Sequence, residues 1–112
     1  MTEPSTSSVG DPLMEERVPD GVPHLDEFGV LRTALGWVSL SPVQENIVRS
    51  LIAHFGSPVA RKELAVAAWP EGGRDLHTID IHIHRLRPRL TSLGLVIHTL
   101  RGRGFLLENL EA

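Results

Sequence analysis

Between Leu76 and Leu90 the apolar residues and the cations fall on different sides of one helix, and this restricts the fold more than any other feature of the chain. Leu76, Ile79, Ile83, Leu86 and Leu90 recur at steps of three and four, the stripe that a helix buries. In the same projection His77, Thr78, Ile81, His84 and Arg85 point away from the stripe. His82 and Arg89 flank one of its edges, Asp80 and Arg87 the other. A rod whose wet side carries Arg, His and Thr offers hydrogen-bond donors to phosphates and base edges, and it is slim enough for the major groove of duplex DNA. The plainer alternative is a solvated amphipathic helix, because arginines on an exposed face often confer only solubility.

The segment that follows weighs against the plainer reading. Residues 95–100 and 105–108 are apolar and β-prone, and between them lies Arg101-Gly102-Arg103-Gly104. Two such runs joined by four residues with two glycines read as a β-hairpin whose tip presents two guanidinium groups. A hairpin of that kind beside a cationic helix suits a minor-groove or phosphate contact next to a major-groove contact.

The run Thr78-Ile79-Asp80-Ile81-His82-Ile83-His84-Arg85-Leu86-Arg87, followed by His98-Thr99-Leu100-Arg101-Gly102-Arg103-Gly104-Phe105, resembles the C-terminal effector domain of OmpR/PhoB-type response regulators. Upstream, Leu40-Ser41-Pro42, Ala60-Arg61-Lys62-Glu63-Leu64 and Ala68-Trp69 match that domain in order and spacing, so the resemblance covers residues 28–108. It implies an α+β fold, a winged helix-turn-helix of three helices with a short N-terminal β-sheet and a C-terminal β-hairpin wing. The function it implies is sequence-specific binding of double-stranded DNA and regulation of transcription. The recognition helix, residues 75–93, would enter the major groove, and the wing, residues 95–108, would meet the minor groove or the phosphates.

By the same resemblance Thr78, His82, Arg85 and Arg87 stand where the family contacts the backbone and bases of the major groove, with His77 and His84 beside them. Arg85 is the strongest base reader, since a guanidinium can donate two hydrogen bonds to guanine O6 and N7. Thr78, near the helix start, is expected to hold a phosphate together with the backbone N–H groups of that terminus, or else to act as a local cap. His82 borders the buried stripe, which leaves it between a phosphate contact and a partly buried ring. Arg101 and Arg103 are placed to enter or straddle the minor groove, and Thr99 to donate to a phosphate or to serve as an ordinary strand residue. Trp69 is read chiefly as packing at the end of the second helix.

Coarse placement of the remaining elements starts with two short strands, at residues 28–32 and 36–39. The first helix is the best signposted, with Ser41 as N-cap, Pro42 at its first position, Gln44 completing a capping box, and Gly56 beyond its end. Pro58-Val59 adds a short strand, and a second helix over residues 61–69 is stopped by Pro70. Asp75 is a plausible N-cap for the third. Residues 1–23 hold Pro, Ser, Thr, Gly and acids with little to bury, and are expected to form a disordered acidic tail ahead of a winged-helix domain at residues 24–112. Such a tail either solvates the domain or competes with DNA for its arginines, and Met14 leaves a shorter start open.

Charge at first argues against a nucleic-acid ligand, because the 112 residues carry a formal −3. That figure averages two unlike parts. Residues 1–23 hold five acids against Arg17, a net −4, which leaves +1 for the remainder. Between Arg74 and Arg103 six arginines face only Asp75 and Asp80, a net +4 where a groove would sense it. The chain has no cysteine, which excludes a disulfide framework and a thiolate metal site. No stretch is apolar enough to span a bilayer, and no secretory signal is visible, so the protein is expected in the cytoplasm without a membrane partner. Among His77, His82 and His84, only the first and last share a helical face, which makes a zinc site a poor reading. No serine stands in a nucleophile-elbow setting, and Gly102-Arg103-Gly104 is too short for a phosphate-binding loop, so neither an enzyme nor a cofactor is expected.

Three departures from the family pattern stand out. Pro88 interrupts the third helix and is expected to bend it or end its first half there, redirecting Arg89. Ala60 takes the place of a hydroxyl cap for the second helix. No receiver domain is expected ahead of the winged helix, so phosphorylation of an attached aspartate is not the expected switch. The low total charge and Pro88 favour an alternative function, a winged-helix module that docks on a protein such as RNA polymerase through the loop at residues 71–75. A monomer in solution, with two copies side by side on a direct repeat, is the state that the resemblance implies.

Overall fold

Three short strands open the computed structural model, which describes residues 22–110: β1 (His24–Leu25), β2 (Val30–Thr33) and β3 (Gly36–Ser39), an antiparallel sheet in that order. All but the last two residues of the expected acidic tail lie outside the described residues. The strand expected from residue 28 is β2, and it begins two residues later, at Val30. Asp26 Oδ1 accepts from the amides of Phe28 (2.8 Å) and Val30 (3.0 Å), and Gly29 turns with φ 80°, so Phe28 is spent in an exposed turn. That turn folds His24 and Leu25 back against Arg32 and Leu31, a strand that two residues of periodicity do not announce.

Helix α1 (Pro42–Ala53) starts as its capping signals require: Ser41 Oγ accepts from the Gln44 amide and Gln44 Oε1 from the Ser41 amide, both at 3.3 Å. Its inner face buries Ile47, Val48 and Leu51 completely. Helix α2 (Arg61–Ala68) is one residue shorter than expected, and Ala60 at its N-cap supplies no side-chain bond. Helix α3 (His77–Thr91) packs Ile79, Ile83, Leu86 and Leu90 into the core, each essentially without exposed surface. Fully burying a side chain of this size stabilises a fold by about 1.5–3 kcal/mol.

Leu76, assigned to the buried stripe, is instead 40% exposed. It precedes α3 in a tight turn whose bonds run three residues back, from Thr78 N to Asp75 O (2.9 Å) and from Ile79 N to Leu76 O (3.0 Å), which turns its side chain out of the stripe. Asp75 still serves the helix start, accepting from the His77 amide at 3.0 Å, although the N-cap position falls to Leu76. At the other end α3 stops at Thr91, two residues short of the expected limit. Pro88 does not end it. Pro88 and His84, the residue whose carbonyl the proline leaves without a helical partner, are both exposed.

The wing is a hairpin of β4 (Leu95–Leu100) and β5 (Gly104–Asn109), paired from Leu95 with Asn109 to Leu100 with Gly104, so its tip is the three residues Arg101, Gly102 and Arg103. Alternation buries Leu95, Ile97, Phe105 and Leu107 against the helices. Val59, expected in a strand of its own, makes a single bridge to Phe105, with amide-to-carbonyl bonds of 2.7 and 2.9 Å in the two directions. That bridge lays the lead-in to α2 across the root of the wing.

Gly104 pays for the crossing with its φ of 112°, and a Cβ there would stand 2.0 Å from the Val59 carbonyl oxygen. Gly104→Ala should therefore cost about 2–4 kcal/mol in denaturant unfolding, because neither backbone can yield cheaply. Gly102→Ala, at φ 76° with open space around the position, should lose only about 1–2 kcal/mol. Equal losses at the two positions would show that the crossing is looser than this geometry.

Candidate nucleic-acid interface

Burying the apolar stripe of α3 decides what the helix shows to solvent. His77, Ile81, His84 and Arg85 are exposed, while Thr78 and His82 are half-buried at the margin. Among the described residues Arg85 makes no ion pair. Asp80, on the side of α3 toward α2, is engaged by Arg61 Nε at 3.0 Å and lies 3.6 Å from His77 Nδ1.

Arg61 is the functional candidate that sequence reasoning passed over. Nineteen residues separate it from Asp80, a distance across which no periodicity operates. Its guanidinium also lies 5.7 Å from the centre of the Phe105 ring, so a carboxylate and an aromatic face hold one cation where α2, α3 and the wing meet. Beside it opens a groove of about 580 Å³ lined by Ala60, Arg61, Thr99, Leu100, Arg101, Gly102, Arg103 and Gly104. Arg101 and Arg103 are exposed at its rim, and neither is ion-paired among the described residues. The start of α2, without a side-chain cap, leaves its first N–H groups unsatisfied toward the same side.

Two of the candidate arginines are tied to main-chain carbonyls of the protein itself. Arg87 is half-buried and donates from Nε (3.1 Å) and Nη2 (3.0 Å) to the Ile97 carbonyl, and from Nη2 to the Thr99 hydroxyl at 2.7 Å. Arg89 donates to the carbonyl of Ser39 in β3. The structure thus brings His77, His84 and Arg85 together on one surface and gathers Thr99, Arg101 and Arg103 with Arg61 on another, while Arg87 and Arg89 tie α3 to the two sheets.

His82 has an environment of its own. Its ring is tilted 55° against Trp69 at 5.7 Å between centroids, Arg74 lies over the other aromatic system at 5.5 Å from the Trp69 ring, and His82 Nδ1 is enclosed without a hydrogen-bond partner. Burial, and then the charges of Arg85 and Arg74, push its pKa below the ordinary imidazole value. The neutral ring is the favoured form. Trp69 packs partly buried against the core, as its place at the end of α2 suggests. Among the described residues no group of three or more His, Asp or Glu side chains is placed to hold a metal ion. No helix among them is long and apolar enough to cross a membrane.

Comparison with known proteins agrees with this geometry. The family model described as "Transcriptional regulatory protein, C terminal" matches residues 36–107. The probable transcriptional regulator ycf27 of Galdieria sulphuraria is 32% identical over 79 residues, which are 65% of this chain and 31% of that protein. Its counterpart in Cyanophora paradoxa is 32% identical over 78 residues, 64% of this chain and 33% of the relative. The match thus spans about a third of the length of these curated relatives. Among solved structures, the C-terminal domain of the nisin resistance regulator NsrR, a lantibiotic response regulator, superimposes with a TM-score of 0.68 at 30% identity, over 82% of this chain and 96% of that one. The AdeR response-regulator DNA-binding domain, solved in complex with an intercistronic region, shares the fold with a TM-score of 0.68 at 20% identity, over 80% and 97%.

The enclosed imidazole sets a pH dependence. Because the folded-state pKa of His82 lies below that of the unfolded chain, its contribution to stability is complete above the unfolded value of about 6.5 and is lost as pH falls from there toward the lowered folded value. His82→Gln, which cannot titrate, should flatten the fall in unfolding free energy over that window. An unchanged slope in pH-dependent denaturation would mean that the ring is freely protonated in the native state.

Proposed function

The chain belongs to the family of transcriptional regulatory protein C-terminal domains, and on that premise we propose that it reads double-stranded DNA with α3 in the major groove and the wing over the adjacent backbone or minor groove. It is a winged helix-turn-helix that binds DNA and regulates transcription. One observation supports the division of labour: the guanidinium groups that the fold leaves without an ion pair among the described residues stand in two places, Arg85 on the outer face of α3 beside His77 and His84, and Arg101 and Arg103 around the groove between α2 and the wing, with the Asp80-paired Arg61 between them. Cationic surface in two patches separated by a groove fits a duplex, whose phosphates lie on both sides of the groove that a helix enters.

Within that arrangement Arg85, exposed and unpaired, has the bidentate geometry that reads guanine, and His84 and His77 extend its reach along the helix. Thr78 holds a phosphate near the helix start. Arg61, Arg101 and Arg103 neutralise phosphates, or follow a narrow minor groove where negative potential concentrates. The domain acts in the cytoplasm, as a monomer that pairs side by side on DNA. The loop at residues 71–75 borders a small pocket of about 150 Å³ formed with Trp69 and Leu76, a place for the transcription machinery to touch the same domain.

Arg85→Ala should weaken binding to the best site by roughly 1–3 kcal/mol and relax selectivity at one base pair, while affinity for random duplex changes little. Equal losses on selected and random DNA would make Arg85 a phosphate clamp. Replacing Arg101 and Arg103 together with alanine should lower the slope of log affinity against log salt by about one to two, since each neutralised phosphate contributes nearly one. A slope equal to that of the parent would remove the wing from the backbone.

A further inference from the structure

Arg87 is the best-tethered cation of the described residues. Three donor contacts from one guanidinium reach two acceptors of β4, and β4 is an edge strand whose Ile97 carbonyl would otherwise have no ladder partner on that side. Besides core packing, these contacts join α3 to the wing. Thr99 is the second half of the arrangement. Its hydroxyl oxygen accepts from Arg87 Nη2 at 2.7 Å, so its single proton cannot point back toward the guanidinium. Thr99 also lines the groove that holds Arg61, Arg101 and Arg103, and its side is open to solvent.

We propose that Arg87 is a positioning residue: it latches the recognition helix to the wing and turns the Thr99 hydroxyl into a donor aimed at a backbone phosphate in the groove. This rests on the DNA-binding reading above, and differs from it in giving Arg87 no phosphate of its own. The rigid fork is what the task requires, because two coplanar donors fix the angle between α3 and β4, which a lysine ammonium on a flexible stem does not. A positioned hydroxyl then contacts the phosphate beside the arginines without adding charge.

The test has one arm without DNA and one with it. In the free protein the Arg87 Nε–Hε proton should exchange with water at least about tenfold more slowly than those of Arg101 and Arg103, because it is bonded to Ile97 and they are not. Equal exchange rates would overturn the latch. With a labelled random-sequence duplex, Thr99→Val should weaken binding about tenfold with an unchanged salt slope, since a neutral donor releases no counterion, and Thr99→Ser should bind like the parent. Arg87→Lys, which keeps the charge, should lose a similar factor. The two changes together should cost little more than either alone.

Full affinity in Arg87→Lys, or strictly additive losses in the double variant, would overturn the proposal by making Arg87 a point charge. Should Arg87→Lys fail to fold, the exposed Thr99 pair decides alone, and a valine variant that binds like the parent overturns the hydroxyl's role. A parent chain that binds no duplex even at low salt would defeat the DNA-binding reading, and Thr99's role with it, whereas the exchange rates judge the latch independently.

Discussion

Everything that the surface of this domain offers depends on the burial of one helical stripe. Ile79, Ile83, Leu86 and Leu90 must face the core together, and a rotation of α3 by a single residue would carry about 100° of that stripe into water. With the azimuth set in this way, His77, His84 and Arg85 have no alternative to facing outward. The same reasoning holds for the wing, where Leu95, Ile97, Phe105 and Leu107 claim the inner side of a two-stranded ribbon too thin to stand without the helices. Presentation of the cations is thus a consequence of packing, and does not need favourable electrostatics at the surface.

A second constraint closes the interface. Backbone bonds between Val59 and Phe105 bring the chain entering α2 against the root of the wing, and only a residue without a side chain can stand at position 104 beneath the Val59 carbonyl. Since Arg61 follows two residues after Val59, the crossing delivers its guanidinium to the mouth of the groove, where Asp80 and the Phe105 ring hold it. Hydrogen bonds of the main chain therefore assemble a cationic cleft from three elements distant in sequence. Exposed ion pairs such as Arg61 with Asp80 are worth only about 0–1 kcal/mol, so the pair orients the side chain more than it stabilises the fold.

Legibility in the sequence follows the range of the forces involved. Local signals translate faithfully: the Ser41, Pro42 and Gln44 cap, the period of α3 between Ile79 and Leu90, and the glycine-punctuated wing each need only residues within a few positions of one another. Leu76 is misplaced by periodicity because a tight turn around Asp75 overrides the helical projection just before its first residue. The strand His24–Leu25 is invisible because it exists only through pairing with β2. Arg61 belongs to the same class, since nothing local joins it to Asp80 or to the wing. The hairpin tip is shorter by one residue than composition suggests, as Gly104 is already paired with Leu100. Pro88 is tolerated in an unbroken α3 because the carbonyl it orphans can turn to water on the exposed side.

Charge shows how far counting can carry an argument and where geometry must take over. Six arginines lie between positions 74 and 103, and a tally of charge would offer all of them to phosphates. The fold divides them. Arg87 is spent on the Ile97 carbonyl and Thr99, Arg89 on the Ser39 carbonyl, and Arg74 lies over the ring of Trp69. Arg85, Arg101 and Arg103 remain, joined by Arg61 from outside that stretch. A guanidinium bonded to a main-chain carbonyl keeps its positive field but has fewer donors left, so the tethered arginines still raise the potential of the face while the untethered ones keep their donors available. That separation explains how a chain with a formal charge of −3 can carry a surface suited to a polyanion: positive potential comes from all the cations of the α3 and wing region, while free directed donors are confined to the few whose hydrogen bonds the protein has not already used.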